Sequence, residues 1–234
     1  MGKVYLIIVL FISLSSYVEA QSQLVDTLRQ KYDDKYGLDV LLNNGRKYFP
    51  NNNPAKGHPY WVREEPIDAD LTVAGKFFPD KKVKYDLNTQ QFILIYLDEN
   101  SREQELVLNS EAVDTIKTAQ TCFIRNKFSE PAQPYLQVIH EGRIGCYISS
   151  SKMLQYNRSG TNIGYEYTAE KKNYFLLFEG QLHRFSSKSS FLNIFQKSER
   201  SRMKKYMVSN HIRFKKMSTN QLQTLIEYGE DIME

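Results

Sequence analysis

The stretch that most narrows the fold is Lys82 to Leu97, KVKYDLNTQQFILIYL. In its first arm Val83, Tyr85 and Leu87 alternate with Lys82, Lys84 and Asp86, the period-two pattern of a strand with one apolar and one wet face. The second arm, Phe92 to Leu97, is apolar on both faces. Such a short run of aromatic, β-branched and aliphatic residues cannot cross a membrane as a helix and suits a central strand. Asn88-Thr89-Gln90 supplies turn residues between the arms, without the Asn-Gly or Asp-Gly pair of a tight hairpin, so the turn type stays open.

The same pattern recurs along the chain. Further strands are predicted over Leu71 to Ala74, Lys76 to Phe78, Glu105 to Leu108, Val113 to Thr118, Thr121 to Arg125 and Leu136 to His140. Arg143 to Ser149, Gly164 to Thr168, Tyr174 to Phe178 and Gln181 to Phe185 follow, with Glu141-Gly142 and Glu179-Gly180 as hairpin turns. Strands at such short intervals, with no helices between them, predict a mainly β (α+β) fold. Its body is an antiparallel β meander curling into a barrel or sandwich, with an N-terminal helix and C-terminal helices. Aromatics at 13%, sixteen of them tyrosines, fit pleated, half-buried surfaces.

Both ends read differently. Lys3, the apolar run Val4 to Ile12, and Val18-Glu19-Ala20 before Gln21 have the three parts of a secretory signal peptide over 1–20, leaving 21–234 as a single β-rich domain. Leu24, Leu28 and Tyr32 make one apolar stripe over Gln23 to Tyr36, a helix that Gly37 would end. At Ser187 the period changes to that of helices, giving a helical segment over 187–234. Ser187 caps a helix with Phe191, Ile194 and Phe195; Ser198 caps one with Met203, Tyr206 and Met207. Ser218 and Gln221 form a capping box before Leu222, Leu225, Ile226, Gly229 and Ile232.

Between Asp39 and Trp61 the chain is rich in turn residues, with Tyr48-Phe49 and Tyr60-Trp61 set among Asn43-Asn44-Gly45 and Gly57-His58-Pro59. Long ordered loops of this kind often carry function. Arg46, His58, Tyr60 and Trp61 are therefore candidate ligand-binding residues, the aromatics as flat amphipathic surface and Arg46 and His58 as polar handles. The competing structural reading has Tyr60 and Trp61 plugging one end of the barrel. The ordered landmarks LLNNGRKY from Leu41, GHPYW from Gly57, GKFF from Gly75 and VKYDL from Val83 resemble a family of uncharacterised exported proteins from Bacteroidetes. The C-terminal part, a strand pair leading into Ser- and Lys-rich helices, is similar too. The resemblance implies export, a cell-envelope location and a β-rich body, and brings no catalytic residues with it.

No motif of catalysis accompanies these features. Ser149 to Ser151, His140 and His183 stand without a G-x-S-x-G elbow or S-x-x-K set, and Glu64, Glu65, Asp68 and Asp70 read as a solvated acidic loop. No spacing of His, Cys or carboxylates makes a metal site, and no cofactor is implied. Cys122 and Cys146 either form a disulfide in an oxidising compartment or remain two buried thiols.

Gln181 to Met217 holds ten basic residues against Glu199 alone, within a chain of net charge +4. A solvated helix face explains this, and peripheral contact with an anionic membrane surface through Arg200, Arg202, Lys204 and Lys205 is the functional alternative. Nucleic acid is the wrong partner for an exported protein. The sequence thus predicts a non-catalytic exported cell-envelope protein, in the periplasm or cell envelope with an extracellular location as the alternative, that binds a partner protein or an apolar ligand. The alternative is a hydrolase with its site in the loops around His58.

Overall fold

The computed structural model describes residues 38–51, 54–158 and 163–233. The predicted signal peptide and the predicted helix over Gln23 to Tyr36 lie outside the described residues.

The described strands are β1 (Arg46–Lys47), β2 (Ala55–Lys56), β3 (Ile67–Val73), β4 (Lys76–Asp86), β5 (Gln91–Leu97), β6 (Glu103–Val107) and β7 (Val113–Thr118). They continue with β8 (Cys122–Arg125), β9 (Tyr135–His140), β10 (Gly145–Ser151), β11 (Leu154–Asn157), β12 (Gly164–Tyr167), β13 (Lys171–Phe178) and β14 (Gln181–Phe185). Helices α1 (Lys188–Leu192), α2 (Lys197–Ser209) and α3 (Thr219–Asp231) follow. The body is one antiparallel sheet of eleven strands in the order β1-β6-β5-β4-β3-β7-β8-β9-β10-β13-β14. Neighbours are mostly consecutive in sequence, which is what a meander requires.

The sheet is open, with β1 and β14 at its edges, and strongly curled. In a flat sheet β5 and β8, four positions apart, would lie roughly 19 Å from each other. Instead the Phe92 ring on β5 sits 5.2 Å from Phe123 on β8 and 4.9 Å from Tyr135 on β9. Phe92 also stacks on Tyr85 at 4.1 Å. These rings, with Leu71, Val83, Leu94 and Ile116, fill the hollow of the curl. Hydrogen bonds close its end: Lys152 N donates to Leu87 O, the Gln90 amide to Ser150 O, and Leu154 N to Asn88 Oδ1.

The opening hairpin behaves as its pattern requires, with one exception. Phe92 and Leu94 face the curl, while Ile93 and Ile95 pack with Tyr48 and Val107 on the outer side, so β5 is covered on both faces. Asp86, expected on the wet face, is only 2% exposed. It is buried because its carboxylate is fully employed, Oδ1 accepting from Asn88 N and Thr89 N and Oδ2 from the Tyr48 hydroxyl. The turn left open by sequence is thus set by an aspartate that mimics a backbone turn.

A second core lies under the C-terminal helices, where Ile139, Cys146, Ile148 and Leu176 meet Phe191, Phe195, Met203, Met207, Leu222, Leu225 and Ile226. Ser187 and Ser218 cap α1 and α3 as expected. The cap of α2 is Gln196 rather than Ser198, because Gln196 and Glu199 form the reciprocal capping pair. A small sheet, β11-β12-β2, was not predicted in full; its β12–β2 contact is a two-residue parallel pairing that no local pattern announces.

Candidate functional site

The loop from Gly57 to Trp61 is fastened along β4. Trp61 N donates to Tyr85 O at 2.8 Å and Leu87 N to Pro59 O at 3.0 Å. From the other side Lys152 donates through Nζ to His58 O at 3.0 Å and Tyr60 O at 2.8 Å. Burial lowers the Lys152 pKa, against the pull of Glu170 and Asp86. Beneath the loop, the Tyr48 hydroxyl donates to Asp86 at 2.9 Å. Burial, then the hydrogen-bonded Tyr60 side chain and the charge of Asp86, hold Tyr48 far above the usual phenol range, so it stays a donor.

A cleft of about 180 Å³ opens over this support, walled by Tyr48, Pro50, His58, Tyr60, Glu64 and Tyr167. The His58 and Tyr60 rings are stacked, 6.2 Å between centroids and 21° apart in plane. Lys84 Nζ lies 5.3 Å from the centre of the Tyr60 ring and is itself paired with Glu105 at 3.1 Å. His58 Nδ1 is buried and has no hydrogen-bond partner among the described residues.

The four residues grouped from sequence do not form one site. His58 and Tyr60 line this cleft, whereas Arg46 lines a second one of about 410 Å³. Trp61 lines neither of these clefts: it is 8% exposed, and its ring packs edge-on against Phe123 at 5.1 Å. Successive residues of an extended segment point to opposite sides, so Tyr60 faces the cleft and Trp61 the core. Tyr48 and Tyr167, the other aromatic walls, were not singled out, since neither has a local signal beyond being a tyrosine.

The larger cleft lies at the mouth of the curled sheet. It is bounded by Asn44 to Arg46, by Gln90 and Gln91 after the β4–β5 turn, by Val107 to Ser110 after β6, and by Tyr135. Gly45 is required there, because a Cβ would run into the Val107 carbonyl oxygen.

The basic segment divides in two. Arg200 is half-buried and donates to Phe195 O at 3.0 Å, whereas Arg202 is exposed and also donates to Ile232 O at 2.9 Å. Lys204 and Lys205 are exposed, beside Val208 at 70% exposure. Among the described residues no helix is long and apolar enough to cross a membrane.

Cys122 and Cys146 are free thiols. They sit on β8 and β10 with β9 between, so two strand spacings, roughly 10 Å, separate them, beyond the reach of a disulfide. Burial raises the Cys146 pKa to about 12. Ser149 and Ser150 are buried at the end of β10, and among the described residues no group of three or more His, Cys, Asp or Glu is placed to hold a metal. Asp68 is paired with Lys82 at 2.9 Å, and Asp70 accepts from Asp80 N.

Compared with family models, curated proteins and solved structures, the chain matches none.

Proposed function

We propose that the chain is an exported protein of the cell envelope, of the kind the Bacteroidetes resemblance implies, that binds a partner protein through the His58–Tyr60 cleft. The observation that carries this reading is the rigid seating of the aromatic walls. Lys152, Asp86 and the β4 backbone hold the loop in place, so a partner would meet a surface that needs little ordering. At about 180 Å³ the cleft is smaller than the 300 Å³ or more of ordinary small-molecule sites. It suits one inserted side chain of a larger partner, whose remaining contacts would spread over the exposed Phe49 and Val62 nearby in sequence. Lys204 and Lys205 supply a peripheral contact with anionic membrane surface in the same reading.

The test is capture from an envelope extract by the mature chain and by a His58→Ala, Tyr60→Ala double variant. A partner retained by the first and lost by the second supports the reading; identical capture overturns it. His58 Nδ1, buried and unpartnered, favours the hydrolase as second reading. Turnover of an ester, peptide or glycoside panel that disappears in His58→Ala would put that reading first. Export itself predicts Gln21 as the mature N-terminus by mass spectrometry.

A further inference from the structure

Charge is segregated along this chain. Gln181 to Met217 carries net +9, so the remainder of a chain at +4 carries −5. Solubility is served by both signs interspersed and asks for no such division. Among the described residues no cation of this segment is ion-paired to a carboxylate. Its one acid, Glu199, is spent on the start of α2, where its Oε2 accepts from Gln196 N at 2.9 Å.

The helix sorts these residues by face. At 3.6 residues per turn, Lys197, Arg202, Lys204 and Lys205 share an arc of about 160° with three serines and Val208, all of them exposed. The opposite side, Met203, Tyr206 and Met207, packs into the core under the helices, so the apolar face of α2 is already in use. Among the described residues Val208 is the only exposed large apolar side chain from 181 to 233, and neither cleft includes any residue of the arc. No exposed ring stands there for a base or a sugar to stack on, which sets this face apart from the grooves that hold single-stranded polymers.

Resting on the peripheral contact already proposed for Lys204 and Lys205, we propose that this arc seats the protein on an anionic bilayer by charge alone. Lys197, Arg202, Lys204 and Lys205 meet the headgroup phosphates, and no side chain enters the acyl region. A plane of phosphates fits these cations, because they stand on the convex side of a helix and their flexible stems let the heads reach a common surface. The serines between them are short and let the headgroups approach. Helices that insert at an interface lay an apolar face in the lipid. In α2 that face belongs to the protein core, so insertion would cost the packing of Met203 and Met207. The same surface repels the remainder of the chain at −5, so the protein arrives with α2 toward the bilayer.

Co-sedimentation of the full mature chain with vesicles of phosphatidylglycerol and phosphatidylcholine tests the assignment. Binding is expected at about 50 mM NaCl and its loss at about 500 mM, where charges are screened within about 4 Å. Each cation at an anionic surface multiplies the partition coefficient about fivefold, so Lys197→Gln and Lys204→Gln should each cost about fivefold and together about twenty-five-fold. Both side chains are exposed, so the unfolding midpoint should stay where it is. An environment-sensitive dye on Val208→Cys, in a Cys122→Ser background, should keep its aqueous emission on binding, with Cys146 unlabelled because it is buried. Emission shifted to that of lipid, binding that survives high salt, or binding indifferent to Lys197→Gln overturns adsorption by charge and leaves the peripheral contact standing. No binding at low salt overturns both. Tighter binding of a poly(dT) oligonucleotide or of hyaluronan, at equal charge, assigns the face to a soluble polymer and overturns the bilayer. The His58–Tyr60 reading is decided separately, by capture.

Discussion

The docking of α3 offers a perturbation whose size and pH dependence both follow from geometry. Glu230, near the end of the helix, accepts from Ile144 N at 2.7 Å through Oε1 and contacts His140 Nε2 at 3.1 Å through Oε2. Glu227 faces the other ring nitrogen of His140 at 3.9 Å, and Arg143 donates to Met233 O. One carboxylate therefore ties the helix to the β9–β10 turn. Glu230→Gln keeps the shape and one acceptor but removes the charge. A hydrogen bond to a charged group contributes about 1.5–3 kcal/mol against about 0.5–1.5 for a neutral one, so two such bonds predict a loss of about 2–3 kcal/mol. Burial opposes the charged form of Glu230, but the Ile144 N–H and the His140 side chain outweigh it, and the pKa is lowered from 4.5. A lowered carboxylate pKa adds stability that is complete above the unfolded value and lost as pH falls through the folded one. The gap between the native chain and Glu230→Gln should therefore be open at pH 7, about 1 M in urea midpoint, and should close as pH falls below 4.5. Urea titrations at pH 7 and pH 3.5 measure it. No gap at pH 7, or a gap undiminished at pH 3.5, refutes the tie.

Trp61→Ala should cost about 3–5 kcal/mol in chemical denaturation, because the indole packs within the curl against Phe123, whereas Tyr60→Ala should cost distinctly less. Free-thiol counting on the denatured protein should return two, and in the native state Cys146 should resist alkylation, being buried with its pKa pushed up to about 12; a count of zero would overturn the placement of β9 between the cysteines. Lys204→Glu combined with Lys205→Glu should change stability by no more than about 0.5 kcal/mol, since both side chains are exposed, and should release the protein from vesicles rich in anionic lipid. Vesicle binding that survives both substitutions would remove the membrane contact.

How far the fold could be read depended on whether a signal was local. The strands from β3 to β10 follow from alternation, and the β13–β14 hairpin also from its Glu179-Gly180 turn, whose positive φ angles the structure adopts. The stripe Leu222, Leu225, Ile226, Gly229 and Ile232 is buried to the last residue, and at Gly229 a Cβ would press on Met203 of α2. Asp86 escaped because alternation records only polarity, and a carboxylate with three donors can be buried as readily as a leucine. The Arg46 cleft escaped for another reason. Its walls come from four separated segments of ordinary residue types, and only the curl of the sheet brings Tyr135 to Arg46 and Gln91. The one trace in the sequence is the recurrence of Asn, Gln and Ser at strand ends, Asn44, Gln90-Gln91 and Asn109-Ser110.

The curl also accounts for where binding surfaces can form. A single sheet of eleven strands has two faces to cover, and the C-terminal helices cover only the half formed by β9, β10, β13 and β14. The other half covers one face by closing on itself around Phe92, Phe123 and Tyr135. An open sheet that closes on itself must leave a mouth, since a strand end brings unpaired backbone groups and a turn, never another full strand. Turn residues are polar, so the mouth between Gln91, Asn109 and Arg46 is polar as well, while the ring at its base belongs to the core. The His58 loop arises differently, as a strap laid on the outer edge of β4 and secured by Lys152. Its walls are aromatic because it lies against the apolar outer cluster of Tyr48, Ile93 and Ile95, which would otherwise face water. The polar mouth and the aromatic strap thus follow from two ways of covering one sheet.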